Sequence, residues 1–512
     1  MKFADQATLN ILAKTMSSLL LLVSSVIMTR YLTKPVYGTY LQAMLVTNTV
    51  ILLAFVGLPQ SIYYYFQTAP NKKQFIYKNI LVSTVMGIAV ALLIVSLSLP
   101  ISRALGNLEL MEYMPYLAAL ILLQSPICFR DPIFFSSGAL IANSVSTLAF
   151  CLIDYLPLYF AVLSGWSLKS IFLVSITSKA LNLLFFFILL KKYCLSRLPD
   201  PVPGVAQKQV KLMDQVRYAV PLGAAGYLGV IGSQADKYII SNGFSPGEFA
   251  AYSRGAMEVP LISSITYLLN DITLPQYVAA YRQKNIRLLL DLMHANLDKV
   301  AKINLGVFVF LLVEAPLFLE ILYTREYADA APIFRVYLLS LLFGVTVYNM
   351  IPTVSGNTRM LLHATGISIV AKISASVLLL KVLGPIGVAL GVFVGSLLYM
   401  SYLLACSVRI LRVNWSEILP WGRVARILLV AGVAGAVCAF YHLALGRFAV
   451  PENLVTLSVS FLIFGYLYLF GLDLLGLLHS EDHAFLKRWL RIDLFLFMPR
   501  LSGRLAPERW GW

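Results

Sequence analysis

The residues able to do chemistry in this chain are ionisable side chains set inside long apolar runs. Lys14 shares a helical face with Asn10, Ser17 and Ser24, and Lys179 with Ser175 and Asn182. Lys237 aligns with Gln234 and Ser241 beside Asp236, and Arg254 stands one turn before Glu258. Lys372 belongs to a stripe with Thr365, Ser368 and Ser376, and Arg30 closes the first apolar run. A charge at hydrocarbon depth costs about 2.5–3.5 kcal/mol on insertion scales, so it normally faces a bundle interior or a wet cavity. Cations outnumber acids among these groups, and that chemistry is recognition of an anion. The competing reading for each cation is an internal ion pair, or a stem that snorkels its charge to an interface. Asp236 and Glu258 are the candidate carboxylates for a coupling ion.

Other chemistries lack their residues. There is no phosphate-cradling GxxxxGK loop, no HExxH, no GxSxG and no GxGxxG. The five His are scattered, and the five Cys lie in or beside apolar runs without a CxxC pair. Loops on the less basic side are short, which leaves little room for an external catalytic domain. We therefore expect no catalytic residue, no metal and no cofactor, and a protein that is not an enzyme.

The elements that must hold the charges are transmembrane helices. The chain has 512 residues, 59% of them hydrophobic and 12% charged. Runs of ~20 apolar residues, long enough to span a bilayer, recur from end to end. Backbone groups in hydrocarbon find no water, so each run must be helical. The expected fold class is an all-α polytopic membrane protein of about fourteen spans, with the first run retained as a span. The net charge of +16 is concentrated in one alternating set of loops and in both tails. That set marks the cytoplasmic side and places both termini there. It also accounts for the basic charge without a nucleic-acid partner.

One turn pattern occurs twice. Thr33-Lys-Pro-Val-Tyr-Gly-Thr-Tyr40 lines up with Ser245-Pro-Gly-Glu-Phe-Ala-Ala-Tyr252. Self-similarity in a membrane chain points to two structural repeats, with a site where they meet. The loop containing Pro199-Asp-Pro-Val-Pro-Gly204 cannot continue a helix and divides the two sets of spans. Gly387, Gly391 and Gly395 form a small-residue stripe suited to close helix packing. Between Tyr281 and Lys302, apolar Ile286, Leu290, Met293, Leu297 and Val300 oppose Arg287, Asp291, His294 and Asp298. That pattern predicts a helix lying on the membrane surface.

At this point the chain resembles the polysaccharide-transport branch of the multidrug/oligosaccharidyl-lipid/polysaccharide (MOP) exporter superfamily. The matching residues are Arg30-Tyr-Leu with Tyr37-Gly-Thr-Tyr40, Gly57-Leu-Pro-Gln-Ser61, Val220-Pro221, Asp236-Lys-Tyr-Ile-Ile240 and Ala251-Tyr252. The resemblance implies two pseudo-symmetric six-helix bundles facing a central cavity, with two extra helices outside. The corresponding divisions are 1–193, an inter-repeat loop at 194–216, 217–412, the extra helices at 413–479, and an amphipathic cytoplasmic tail at 480–512. It implies Lys14, Lys237 and Arg254 as cavity residues; Lys179 and Lys372 are further candidates.

The implied substrate is an oligosaccharide on a polyprenyl diphosphate, flipped by alternating access across a bacterial cytoplasmic membrane. Membrane lipids, a polysaccharide polymerase and other envelope-assembly proteins are the implied partners. The rivals are a cation-coupled drug exporter of the same superfamily, a membrane polymerase or glycosyltransferase, and a scaffold without transport. A drug pump wants an acidic cavity, and a polymerase wants a large external loop or catalytic carboxylates.

Overall fold

The computed structural model describes residues 3–55, 57–198, 210–257, 259, 273–344, 348–357, 359–447, 453–479 and 482. Every regular element among them is helical. The chain divides into two compact units, Met1–Ser253 and Arg254–Trp512. The division falls later than the loop at 194–216, because the long helix after that loop packs onto elements of the first unit.

The first unit opens with α1 (Phe3–Tyr31), α2 (Lys34–Ala54), α3 (Leu58–Thr68) and α4 (Lys72–Ser96). It continues with α5 (Ser98–Ala104), α6 (Leu110–Ile127), α7 (Arg130–Ser136), α8 (Leu140–Leu163) and α9 (Leu168–Leu189). After the inter-repeat loop come α10 (Leu212–Gly243) and the start of α11 (Pro246–Gly255). α1 packs along α8, α4 along α6, and α3 meets both α7 and α10. The second unit contains α12 (273–282), α13 (Ile286–Leu322), α14 (Ala331–Phe343) and α15 (Met350–Val354). Beyond these lie α16 (Arg359–Leu383), α17 (Pro385–Leu411), α18 (Trp415–Ile418), α19 (Trp421–Arg447) and α20 (Leu454–Leu474).

Among the described residues, 10 helices are long and apolar enough to cross a membrane, and a shorter apolar helix covers Thr15–Tyr31. The protein is a multi-pass membrane protein. Several expected spans are interrupted. The span over 39–66 breaks between α2 and α3, where Gly57 takes φ +70. A side chain there would be strained, and its Cβ would fall 2.6 Å from the Ala219 carbonyl oxygen of α10. Broken helices are tolerated at membrane depth where protein or a cavity surrounds them.

The amphipathic stretch forms the first half of α13, which runs on into the span as one helix of 37 residues, and its apolar Leu289, Met293, Leu297 and Val300 are buried within the second unit. Asp298, expected on the polar face, is buried too. It bonds Lys302 at 2.8 Å and approaches Arg423 Nε at 3.3 Å. Lys302 also pairs with Asp482 at 2.7 Å. Burial pushes the Asp482 carboxyl up, but the His479 amide and the Lys302 ammonium hold it below its ordinary value. Higher on α13, buried Glu314 accepts from Ser460 of α20 and pairs with His442 of α19 at 2.9 Å. These two acids tie the last helices onto α13. The expected amphipathic tail lies outside the described residues.

The glycine stripe behaves as its spacing predicts. A Cβ at Gly391 would collide with the Ser376 backbone and hydroxyl, and one at Gly395 would sit 2.7 Å from Lys372 Cβ. Ser368 donates to the Gly395 carbonyl at 2.8 Å and Ser376 to the Val388 carbonyl at 3.1 Å. The polar stripe of α16 is therefore the seam against α17. Overpacking such a seam costs about 1–3 kcal/mol. Gly391→Val is expected to lower the melting temperature in detergent, whereas Gly432→Ala, which meets nothing within 4 Å, leaves it unchanged.

Candidate functional site

The two copies of the repeated turn meet. Gly38, in the first turn of α2, lies so close to Pro246 that any side chain at 38 would collide with the Pro246 carbonyl group. Gly247 lies beside Lys34 and Pro35 at a looser distance, where an added Cβ would make only ordinary contact. The sequence marked both turns as equivalents; the fold sets them against each other. Proline at the start of each helix fits, since the first turn has no intrahelical acceptor for its amide.

A buried polar network lies one turn deeper. Gln42 Nε2 donates to Ser241 Oγ at 2.8 Å and to the Leu105 carbonyl at 3.1 Å. Asn107 Nδ2 donates to Gln42 Oε1 at 2.7 Å and to Thr39 Oγ1 at 3.0 Å. Ser241 also reaches the Leu105 carbonyl, and Asn242 the Ala104 carbonyl. Gln42, Ser241 and Asn107 are all buried. In apolar surroundings an unpaired amide is expensive, so these bonds hold the end of α10 to α2 and to the α5–α6 turn. Gln42 and Asn107 are not among the sequence candidates. The available signal was a lone amide within an apolar run, which is weak without its partner.

The sequence candidates fall into distinct settings. Lys237 lies one turn before Ser241 on α10, with its ammonium 3.0 Å from Gln234 Oε1. Asp236 is buried beside it and accepts the Tyr252 hydroxyl at 3.1 Å, which ties α10 to α11. Arg254 ends α11, its guanidinium 5.6 Å from the centre of the Tyr323 ring within the second unit. Arg30 is exposed on the last turn of α1. Lys372 has its Cα and Cβ in the α16–α17 seam. Lys179 is in an ion pair: its ammonium lies 2.7 Å from Asp154, which also accepts from Asn182 at 2.8 Å. Lys14 is on α1, but its side chain lies outside the described residues, as does Glu258.

The first unit thus brings Lys237, Asp236 and Gln234 to one stretch of α10 under the Gln42 network. Such an arrangement can bind charge, and the hydrogen bonds beside it are accompanied by apolar packing of Ala43, Val46, Leu105 and Tyr238. It contains no nucleophile with an adjacent base.

Residues 3–276, more than half of the chain, match the family model described as "Polysaccharide biosynthesis protein". No curated protein sequence matches at comparable stringency. Among solved structures, the chain is similar to the lipid II flippase MurJ in an inward closed conformation. The TM-score is 0.66 at 16% identity, covering 91% of this chain and 98% of that one. An inward-facing MATE multidrug transporter of the MOP superfamily matches with a TM-score of 0.58 at 15% identity, over 80% of this chain and 98% of that one. A MOP superfamily transporter from Pyrococcus furiosus, with a binding pocket of reversed polarity, matches at 0.51 and 14% identity, over 80% and 95%. At these identities the likeness is one of fold.

Two outcomes test the geometry. Gln42→Leu leaves Asn107, Ser241 and a backbone carbonyl short of partners, a loss of about 2–3 kcal/mol at the closed end. Hydrogen–deuterium exchange is expected to accelerate at residues 104–108 and 239–245; unchanged exchange would show that other contacts hold this end. For the Lys179–Asp154 pair, Lys179→Met strands a half-buried carboxylate. It is expected to destabilise more than the double variant Lys179→Met/Asp154→Asn, as read by melting temperature.

Proposed function

The chain belongs to the polysaccharide biosynthesis protein family, and we propose that within it the protein flips a polyprenyl-diphosphate-linked oligosaccharide across the membrane. The observation that carries this reading is family membership combined with the fold of MOP superfamily transporters. A polysaccharide-biosynthesis chain folded as a transporter has a task to match both: moving glycan assembled on one leaflet to the other. MurJ, over nearly its whole length, is similar in fold and is by its own description a flippase for a lipid-borne substrate.

In this reading the protein works by alternating access rather than by catalysis. The Gln42–Asn107–Ser241 network is the extracytoplasmic gate, on the side opposite the lysine-rich loops. The diphosphate-sugar head enters from the cytoplasmic leaflet, and Lys14, Lys237 and Arg254 attract its negative charge. Arg30 and Lys372 are peripheral contributors, and Lys179 contributes only when it leaves Asp154. Opening the gate exchanges the network's hydrogen bonds for bonds to water, which costs little on a wetted surface. Asp236, already held by Tyr252, is the nearer carboxylate for a coupling ion; Glu258 is the alternative. The membrane is a bacterial cytoplasmic membrane with both termini inside, and a polysaccharide polymerase receives the flipped product.

Lys14→Ala and Lys237→Ala are each expected to abolish surface polysaccharide at unchanged protein level, with lipid-linked intermediate accumulating on the inner leaflet. Wild-type polysaccharide in both variants would remove these residues from the site. Increased drug resistance on overexpression, with polysaccharide unaffected by deletion, would replace the reading with a drug exporter.

A further inference from the structure

The first unit carries an apolar groove away from the closed end. α3, α4 and the first turns of α10 enclose about 440 Å³, lined by residues that include Leu58, Leu81, Val85, Leu212 and Val216. All the lining residues are hydrophobic. Leu81 is 64% exposed and Val85 56%, so the groove is open along one side of α4. An open apolar side on a span-length apolar helix suits contact with hydrocarbon.

One end of the groove is cationic. Lys78 stands one helical turn before Leu81 and Val82, on the same face of α4. Its ammonium bonds the Val210 carbonyl at 3.1 Å, just before α10 begins. Among the described residues that is its one acceptor, and an ammonium has three protons to donate. Lys72 and Lys73 open α4, and Lys211 and Arg217 flank the start of α10. Asp214 is the one acid among these first-turn residues. Both helices also begin at this end, which adds the positive ends of their dipoles.

We propose that this groove seats the isoprenoid tail of the polyprenyl diphosphate substrate, with Lys78 and its neighbours meeting the diphosphate before the head moves to the cavity; the proposal rests on the flippase reading above. Lys78, Lys211 and Arg217 against Asp214 give this end a cationic excess that suits an anion of two phosphates. A zwitterionic phospholipid has no use for such an excess, and a singly charged one has little. An apolar slot continuous with a cationic end matches a molecule whose own charge and hydrocarbon are joined end to end. Anchoring the tail on the outside of the first unit keeps the substrate beside the protein while its head moves, which raises the effective concentration at the cavity.

The test uses full-length protein in nanodiscs with a diazirine-bearing polyprenyl diphosphate, against phosphatidylglycerol and phosphatidylethanolamine carrying the same group. Cross-links are expected on residues 81–86 and 212–220, and unlabelled polyprenyl diphosphate should compete them away. Val85→Trp and Leu81→Trp fill the groove from its lipid side and should each reduce labelling at least about fivefold. Lys78→Gln should weaken competition by the diphosphate about tenfold while leaving phosphatidylglycerol unaffected. Equal labelling by phosphatidylglycerol, or labelling outside the groove, overturns the proposal. Groove labelling in a protein that supports no polysaccharide export leaves the tail seat standing and removes the flippase reading. Export without groove labelling does the reverse.

Discussion

One side-chain amide joins three elements of the first unit. Gln42 is buried in the α2 helix, where hydrocarbon and packed side chains exclude water, and its oxygen and nitrogen are both satisfied by groups from elsewhere in the chain. The alternative to those bonds is an orphaned amide in an apolar medium, so α2, α10 and the α5–α6 turn must stay in register as long as water is kept out. The constraint is strong in the dry state and weak in the wet one. That asymmetry is what a gate requires. The contact of Gly38 with Pro246 prepares the site by bringing the two helix starts close enough for the amide to reach across.

The same economy of polar groups recurs in the second unit. Glu314 and Asp298 are carboxylates that a membrane would reject if they stood alone, yet each is buried and each bonds groups from the last helices. A buried ion pair adds little net stability compared with an apolar contact. It does make one arrangement much better than any shifted one, since a slipped helix strands the charge. Lys179 and Asp154 do the same within the first unit. Several charges inside this membrane protein thus serve to align helices.

Much of this was legible in the amino-acid order. Apolar length and the uneven distribution of Lys and Arg determine a multi-pass chain with a basic side. The turn at Thr33–Tyr40 and its echo at Ser245–Tyr252 announced a repeat, and the Gly387–Gly395 stripe announced a close helix seam. Each of these is a local property: hydrophobic run, turn chemistry, or spacing along one helix.

What only the tertiary structure decided is who answers whom. Lys179 and Lys237 look alike along the chain, each a lysine among small polar residues in a span. Folding gives the first an aspartate from another helix, while the second bonds Gln234 one turn earlier on its own helix. Asp298 sat on what read as a solvent face, and the approach of Arg423 and His479 from remote positions made it a buried tie. Gln42 and Asn107 carried only the weak mark of a lone amide until α2 and the α5–α6 turn came together. A helix period assigns a residue to a face; only long-range packing assigns that face to hydrocarbon, to water or to a partner.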